Sequence, residues 1–222
     1  MITLSPMFSP ERPARVLLVG AHSDDIEIGC GATLLRLRSE LTQASFRWVV
    51  LGATGVRAQE AKASALEFLS GAHDSKVEIF DHRDGHFPAQ FSQIKQRFEE
   101  LKAQFSPDLI FTHYKEDRHQ DHRLVSELTW NTFRNHLILE YEIPKFDGGL
   151  GDPNVFVPIS KALRDEKVSL ILKHFQSQAS KQWLDGELFN GLMRLRGLEG
   201  ASPDGYAEAF HCRKWSLGWR GT

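Results

Sequence analysis

Short apolar runs alternate with segments of helical periodicity along most of this chain, and that alternation constrains the fold more than any other feature. Arg15 to Gly20 (R-V-L-L-V-G) reads as a parallel strand buried on both faces and closed by a glycine. Leu34, Leu35, Leu37 and Leu41 follow at helical spacing, and Phe46 to Leu51 (F-R-W-V-V-L) is a second strand. A helix is expected from about Ala58, with Ala61, Ala65, Leu66 and Leu69 on its apolar face, then a third strand at Val77 to Phe80. Ile94, Phe98, Leu101 and Phe105 make the clearest amphipathic helix, which Pro107 stops before a fourth strand at Asp108 to His113. Leu124, Val125, Leu128 and Phe133 mark another helix, and Leu137 to Ile143 a fifth strand. The pattern predicts an α/β fold, Rossmann-like, with a mostly parallel sheet and helices on both faces.

The Gly- and Pro-rich stretch 145–153 (K-F-D-G-G-L-G-D-P) is the best internal boundary. Beyond it we expect two helices, at about 160–175 and 179–196, and a last strand from Tyr206 to Cys212. Residues 1–222 are read as one domain, with a core at 14–144 and an extension at 145–222; residues 1–13, with three prolines, form an irregular lead-in.

A chain of 222 residues, 41% hydrophobic and 25% charged, can bury a sizeable core. Its 27 basic and 29 acidic residues argue against binding nucleic acid through phosphates, which needs clustered cations. No uncharged run approaches the roughly 20 residues of a membrane span, and the start of the chain carries no recognisable signal peptide. With only Cys30 and Cys212 there is no disulfide framework, so a cytoplasmic setting is expected.

In an open α/β sheet, ligands sit beyond the carboxyl ends of the strands. Two loops leaving such ends are rich in metal-type side chains: His22, Asp24, Asp25 and Glu27 after the first strand, and His113, Asp117, His119, Asp121 and His122 after the fourth. A histidine near a carboxylate on one loop is ordinarily solvated. Two such loops on neighbouring strand ends are a different matter, because imidazole nitrogen and carboxylate oxygen together make a catalytic zinc site with an open position.

The first loop, A-H-S-D-D-I-E-I-G-C-G-A, and the later H-Q-D-H at His119 to His122 together resemble the LmbE/PIG-L-like family of zinc-dependent N-acetylglucosaminyl deacetylases. Ser23 stands where the family pattern usually has proline, and Ala32 replaces the last glycine. T-G-V-R-A-Q-E (with Arg57 and Glu60), R-D-G (Arg83 to Gly85), H-F-Q-S-Q (His174 to Gln178) and Y-A-E-A-F (Tyr206 to Phe210) extend the resemblance over nearly the whole chain. The resemblance implies one zinc ion per chain, held by His22, Asp25 and His122. It implies Asp24 as general base and His119 as acid or oxyanion partner, oriented by Asp121. Arg57 and Asp84 would contact a sugar hydroxyl or phosphate. The implied reaction is removal of an N-acyl group, most simply acetyl, from an amino sugar or its conjugate, by metal-activated water. Physically, adjacent aspartates in a tight loop can face the metal and the water separately, and an amide needs both a partner for its oxygen and an acid for its nitrogen.

Other polar residues have plainer readings. Glu27 is expected outside the metal shell, favoured by helix N-terminal polarity. His113 is expected to be structural. Asp117 stands where some family members carry a catalytic tyrosine, and His174 and Glu208 suit packing as well as function. Cys30 is expected to pack under the helix. Trp183, Trp215 and Trp219 lie where the family varies its substrate contacts. Two alternatives stay open: an amidase of a non-sugar or thiol-conjugate amide with the same zinc site, and a non-catalytic sugar-binding protein. A nucleotide-binding protein ranks last, since G-C-G-A lacks G-x-G-x-x-G spacing. The expected partner is a small amino-sugar-type molecule, with no nucleic acid and no membrane span. Oligomeric state, a homo-oligomer included, is open.

Overall fold

The computed structural model describes residues 13–216. The lead-in 1–12 and Trp219 lie outside the described residues. Five parallel strands form the centre: β1 (Arg15–Gly20), β2 (Ser45–Val50), β3 (Asp74–Ile79), β4 (Leu109–His113) and β5 (Leu137–Tyr141). Between them run helices α1 (Asp25–Glu40), α2 (Gly55–Phe68), α3 (Phe91–Gln104) and α4 (Gln120–Thr132). The chain continues through β6 (Val155–Ile159), α5 (Lys161–His174), α6 (Gly186–Glu199) and β7 (Tyr206–His211). The sheet order is β3-β2-β1-β4-β5-β7-β6, with β7 antiparallel to both β5 and β6.

Alternation along β1 shows why its apolar run is continuous. Val16 and Leu18 point into one core with α1, α2, α5 and α6, whereas Leu17 and Val19 point into the other with α3 and α4. The expected α/β sheet with helices on both faces is therefore present. The chain winds outward from β1 through β2 to β3, then returns to β4 on the other side of β1. This reversal opens a crevice at the carboxyl ends of β1 and β4, the topological switch point where α/β proteins bind ligands.

Strand β6 was not expected. Its sequence, V-F-V-P-I, contains Pro158, which argues against a central strand; β6 lies at the sheet edge, where a missing backbone donor is tolerated. Helix α6 begins at Gly186 rather than near 179, because Asp185 caps it by accepting from the Glu187 amide at 2.9 Å.

Helix α1 is bent at Cys30 (φ −144°, ψ 17°). The bend frees the Ala32 and Thr33 amides, which donate to the Glu208 carboxylate at 3.0 and 2.6 Å. Lys167 completes the brace, donating to Glu208 Oε1 at 2.5 Å and to the Ile28 carbonyl at 2.7 Å. Glu208 thus works at the root of the helix that begins at the site. Cys30 is fully buried and donates to Ile26 O at 3.3 Å, consistent with packing. Gly29 is required by close approach, since a Cβ there would lie 2.2 Å from Tyr141 Cδ2, and Tyr141 is pinned by its hydroxyl to the Val19 carbonyl at 2.7 Å.

Candidate active site

The loop after β1 and the start of α1 carry His22, Asp24 and Asp25; the end of β4 and the start of α4 carry His113, Asp117, His119, Asp121 and His122. His22 Nδ1 stands 3.1 Å from His122 Nε2. Asp25 meets both, with Oδ2 3.4 Å from His22 Nδ1 and Oδ1 3.5 Å from His122 Nε2. A four-coordinate zinc with bonds of about 2.0–2.2 Å sets its ligand atoms roughly 3.3 Å apart. The donor chemistry of the three expected ligands fits a divalent cation, and so does each pairwise spacing when both oxygens of Asp25 are counted. Taking one atom per residue, the clusters whose donors all lie within 4.8 Å are His22–His119–His122, His22–Asp84–His119–Asp121 and Asp25–His113–His122. The expected trio comes together only pairwise, through both oxygens of Asp25.

Charge balance points the same way. Burial opposes charge on His22, yet Asp25 and Asp121 draw its pKa well above the ordinary value. A cation can take the place of that proton. Burial pushes the Asp25 carboxyl up, but His122, His113 and His22 outweigh it and hold it well below the carboxylate range. His122 is pulled down to about 3, chiefly by burial and then by His113, so its lone pair is free.

Behind the ligands stands a row of carboxylates. Asp117 Oδ2 accepts from His122 Nδ1 at 3.1 Å, so the opposite nitrogen faces the cluster. Asp117 Oδ1 accepts the His119 amide at 2.7 Å, and Lys145 Nζ lies 2.5 Å from Asp117 Oδ2. Asp121 does the same for His22, with Oδ2 3.2 Å from Nε2. Its carboxylate also accepts amides from Gly85 (2.7 Å) and Phe87 (3.0 Å). Gly85 presents its amide at φ +76°, a conformation that favours glycine.

Asp121 had been expected to orient His119. Its contact with His119 runs through the backbone: the Asp121 amide donates to His119 Nδ1 at 3.3 Å, with His119 as N-cap of α4. That bond leaves the proton on His119 Nε2. The His119 pKa is lowered, first by burial and then by His22, against the pull of Asp121. Its neutral form can therefore donate through Nε2–H.

Asp24 is 6% exposed, and Arg57 Nη2 lies 3.1 Å from its Oδ2. Burial raises the Asp24 pKa, while Arg57 opposes the rise. Asp84 is 74% exposed at its side chain and reaches His22 Nε2 at 3.0 Å. A cavity of about 370 Å³ opens over this corner, lined by His22, Ser23, Thr54, Arg57, His82 and Asp84 among others. Both expected substrate contacts, Arg57 and Asp84, line it, and no tryptophan does among the described residues.

His113 stacks on His122 with ring centroids 3.9 Å apart, and its Nε2 receives the Ala21 amide at 2.9 Å. Glu27 lies in the first turn of α1, as expected, and is fully buried there; burial drives its pKa well up, against the pull of the Ser64 side chain. The supporting roles of Asp117 and Lys145 were not foreseen, although Asp117 stood among the metal-type side chains of the second loop.

Comparisons with known proteins bear on what this arrangement belongs to. The family model described as PIG-L, GlcNAc-PI de-N-acetylase, matches residues 17–133. The chain is 30% identical to the uncharacterized deacetylase YaiS of Escherichia coli K12 over 169 residues, which is 72% of this chain and 89% of that protein. Among solved structures it resembles N,N'-diacetylchitobiose deacetylase of Pyrococcus horikoshii (TM-score 0.65, 20% identity, 89% of this chain and 83% of that one). It also resembles GalB, the 4-carboxy-2-hydroxymuconate hydratase of Pseudomonas putida KT2440 (TM-score 0.70, 17% identity, 94% and 100%). These two likenesses concern the fold, which serves more than one reaction. The family match spans both histidine loops and over half of the chain, and with the YaiS identity it places this protein in the PIG-L family of de-N-acetylases.

Proposed function

We propose that this protein is a zinc-dependent hydrolase that removes an N-acyl group, acetyl in the simplest case, from an amino sugar or amino-sugar conjugate. The observation that carries the reading is the gathering of His22, Asp25 and His122, with pairwise donor distances of 3.1–3.5 Å reached through both Asp25 oxygens, beside a cavity of about 370 Å³ lined by His22, Arg57 and Asp84 among others. That cavity is within the usual size of small-molecule sites. Membership in a family whose model is described as GlcNAc-PI de-N-acetylase supports both the de-N-acetylase chemistry and an amino-sugar type of substrate. The hydratase neighbour shares the fold at 17% identity and carries no weight for the reaction.

His22, Asp25 and His122 would hold the ion. When bound, zinc supplies Lewis acidity and lowers the pKa of water to about 7. Asp24 takes a proton from the attacking water as its oxygen adds to the acyl carbon. Burial suits Asp24 to this, since a desolvated carboxylate is a better base. His119 Nε2–H donates to the oxygen of the tetrahedral adduct. The C–N bond then breaks as the amine nitrogen takes up the proton held at Asp24, and the carboxylic acid released passes its own proton to the free amine or to solvent, leaving a carboxylate. Asp121 acts through His22 with its carboxylate and on His119 with its backbone amide. Arg57 and Asp84 contact the sugar across the cavity. The setting is a reducing one, consistent with the two free, buried cysteines. Among the described residues no helix is long and apolar enough to cross a membrane.

The test separates the two histidines of the second loop. His122→Ala should lose zinc and turnover together. His119→Ala should retain zinc and lose about 10²–10³-fold in kcat, the usual effect of removing one oxyanion donor. If His119→Ala strips the metal as readily as His122→Ala does, both are ligands and the assignment fails.

A further inference from the structure

Glu60 in α2 and the segment H-F-Q-S-Q after α5, which the catalytic assignment leaves idle, meet in space behind Arg57. Glu60 sits one helical turn beyond Arg57, and its Oε2 lies 3.2 Å from Arg57 Nη1. Ser177, 117 residues later in sequence, donates to the same carboxylate twice, from its amide to Oε1 at 2.7 Å and from its hydroxyl to Oε2 at 2.6 Å. Phe175 is fully buried next to it, and its ring lies 5.4 Å from the Arg57 guanidinium carbon, within cation–π range. The other arm of the guanidinium, Nη2, reaches Asp24 Oδ2 at 3.1 Å. A second tie fixes the same segment to α2, since His174 Nε2 and Lys173 Nζ lie 2.6 and 2.7 Å from Glu67.

We propose that Ser177 and Glu60 are positioning residues that act through Arg57. They clamp the guanidinium from behind, so that its other arm, Nη2, fixes the rotamer of Asp24. An unclamped arginine has several rotamers, and each is an orientation lost from the productive set. A carboxylate that holds one nitrogen of the planar guanidinium fixes the direction of the others. Ser177 supplies both a backbone and a side-chain donor, so its hydroxyl fixes the orientation of the Glu60 carboxylate while its amide anchors it. Neither residue touches substrate in this scheme. The inference rests on the proposed role of Asp24, but the clamp itself is a matter of geometry that can be measured separately.

The experiment is a double-mutant cycle on the zinc-loaded protein, with Ser177→Ala, Ser177→Thr and Arg57→Ala, assayed with N,N'-diacetylchitobiose and N-acetylglucosamine. Ser177→Ala should lower kcat on the order of 10-fold, as for loss of one hydrogen bond to a charged group, with little change in KM. Ser177→Thr, which keeps the hydroxyl, should restore it. In the Arg57→Ala background, Ser177→Ala should have less than about a 2-fold further effect, since residues acting along one chain of contacts are not additive. Equal losses in both backgrounds, or no loss in the wild-type background, would overturn the proposal. In parallel, the Nη–H resonances of Arg57 in nitrogen-15-labelled protein, which report on the two arms held by Glu60 and Asp24, should exchange slowly with solvent in the wild type and faster in Ser177→Ala. An Arg57 resonance that is unaltered in Ser177→Ala refutes the clamp even if neither sugar is a substrate. Slow exchange without turnover on any N-acetylated sugar would leave the clamp standing and remove the function assigned to the site.

Discussion

Replacing Asp117 by alanine tests how far the site depends on residues that do not touch the metal. Asp117 is almost fully buried and has three partners: His122 Nδ1 at 3.1 Å, the His119 amide at 2.7 Å and Lys145 Nζ at 2.5 Å. Alanine removes the acceptor that fixes the His122 ring and leaves its Nδ1–H buried without a partner. Carboxylates behind a ligand histidine are typically worth 10- to 100-fold in metal affinity, about 1.4–2.7 kcal/mol. With its two histidine contacts and Lys145, Asp117 should fall in that range, so Asp117→Ala should raise the zinc dissociation constant by 10- to 100-fold. Asp117→Asn keeps an oxygen for Nδ1–H but loses the charge facing Lys145, and should cost about 10-fold or less. The assay is competition with a chromophoric zinc chelator, with near-ultraviolet circular dichroism to confirm that each variant is folded. A folded Asp117→Ala protein that binds zinc within 2-fold of the wild type would refute the reasoning.

Two further outcomes follow from the packing around the site. Gly29→Ala would place a Cβ 2.2 Å from a tyrosine ring that is tethered at its hydroxyl; the expected loss is about 3 kcal/mol or more in urea unfolding, while Gly191→Ala, with open space around it, should be near neutral. Glu142 is buried and paired with Arg196 through two hydrogen bonds of 2.9 and 2.8 Å; burial raises its pKa, but His211 and Arg196 outweigh burial and the net direction is downward. The folded-state pKa being depressed, this pair contributes stability above the unfolded value of about 4.5 and loses it as pH falls through the folded value. Glu142→Gln should therefore be destabilised by about 3–5 kcal/mol near neutrality and show a flatter acid limb; an unchanged limb would exclude Glu142 as its source.

The parts of this fold that were legible in the sequence are those set by local pattern. Val16 to Val19 are apolar without interruption because both faces of β1 are covered, and Ile94, Phe98 and Leu101 repeat at helical spacing because α3 has one covered face. The two metal-rich loops could be picked out because metal-type side chains cluster on two strand ends, whereas the choice of His22, Asp25 and His122 among them came from the family resemblance. Strand β6 was missed because Pro158 reads as a breaker unless the strand is known to be an edge. The supporting contacts were invisible for a different reason. Nothing local to Asp117 says that Lys145 will reach it from 28 residues away, or that Ser177 will close on Glu60 from 117 residues away. Such pairings depend on how the elements pack, and periodicity does not encode that.

The central claim is metal-dependent N-deacylation with Asp24 as base. It is tested most directly by measuring acetate and free amine released from a panel of N-acetylated amino sugars, sugar nucleotides and thiol glycosides. The measurement compares zinc-loaded wild type, metal-stripped wild type and zinc-loaded Asp24→Asn. Equimolar acetate and amine are expected from the loaded wild type with at least one substrate, and none from the stripped protein. Turnover should be lower by about 10²–10⁴-fold in Asp24→Asn with the metal still bound. Near-normal release by Asp24→Asn, or release by the metal-free protein, would contradict the central claim.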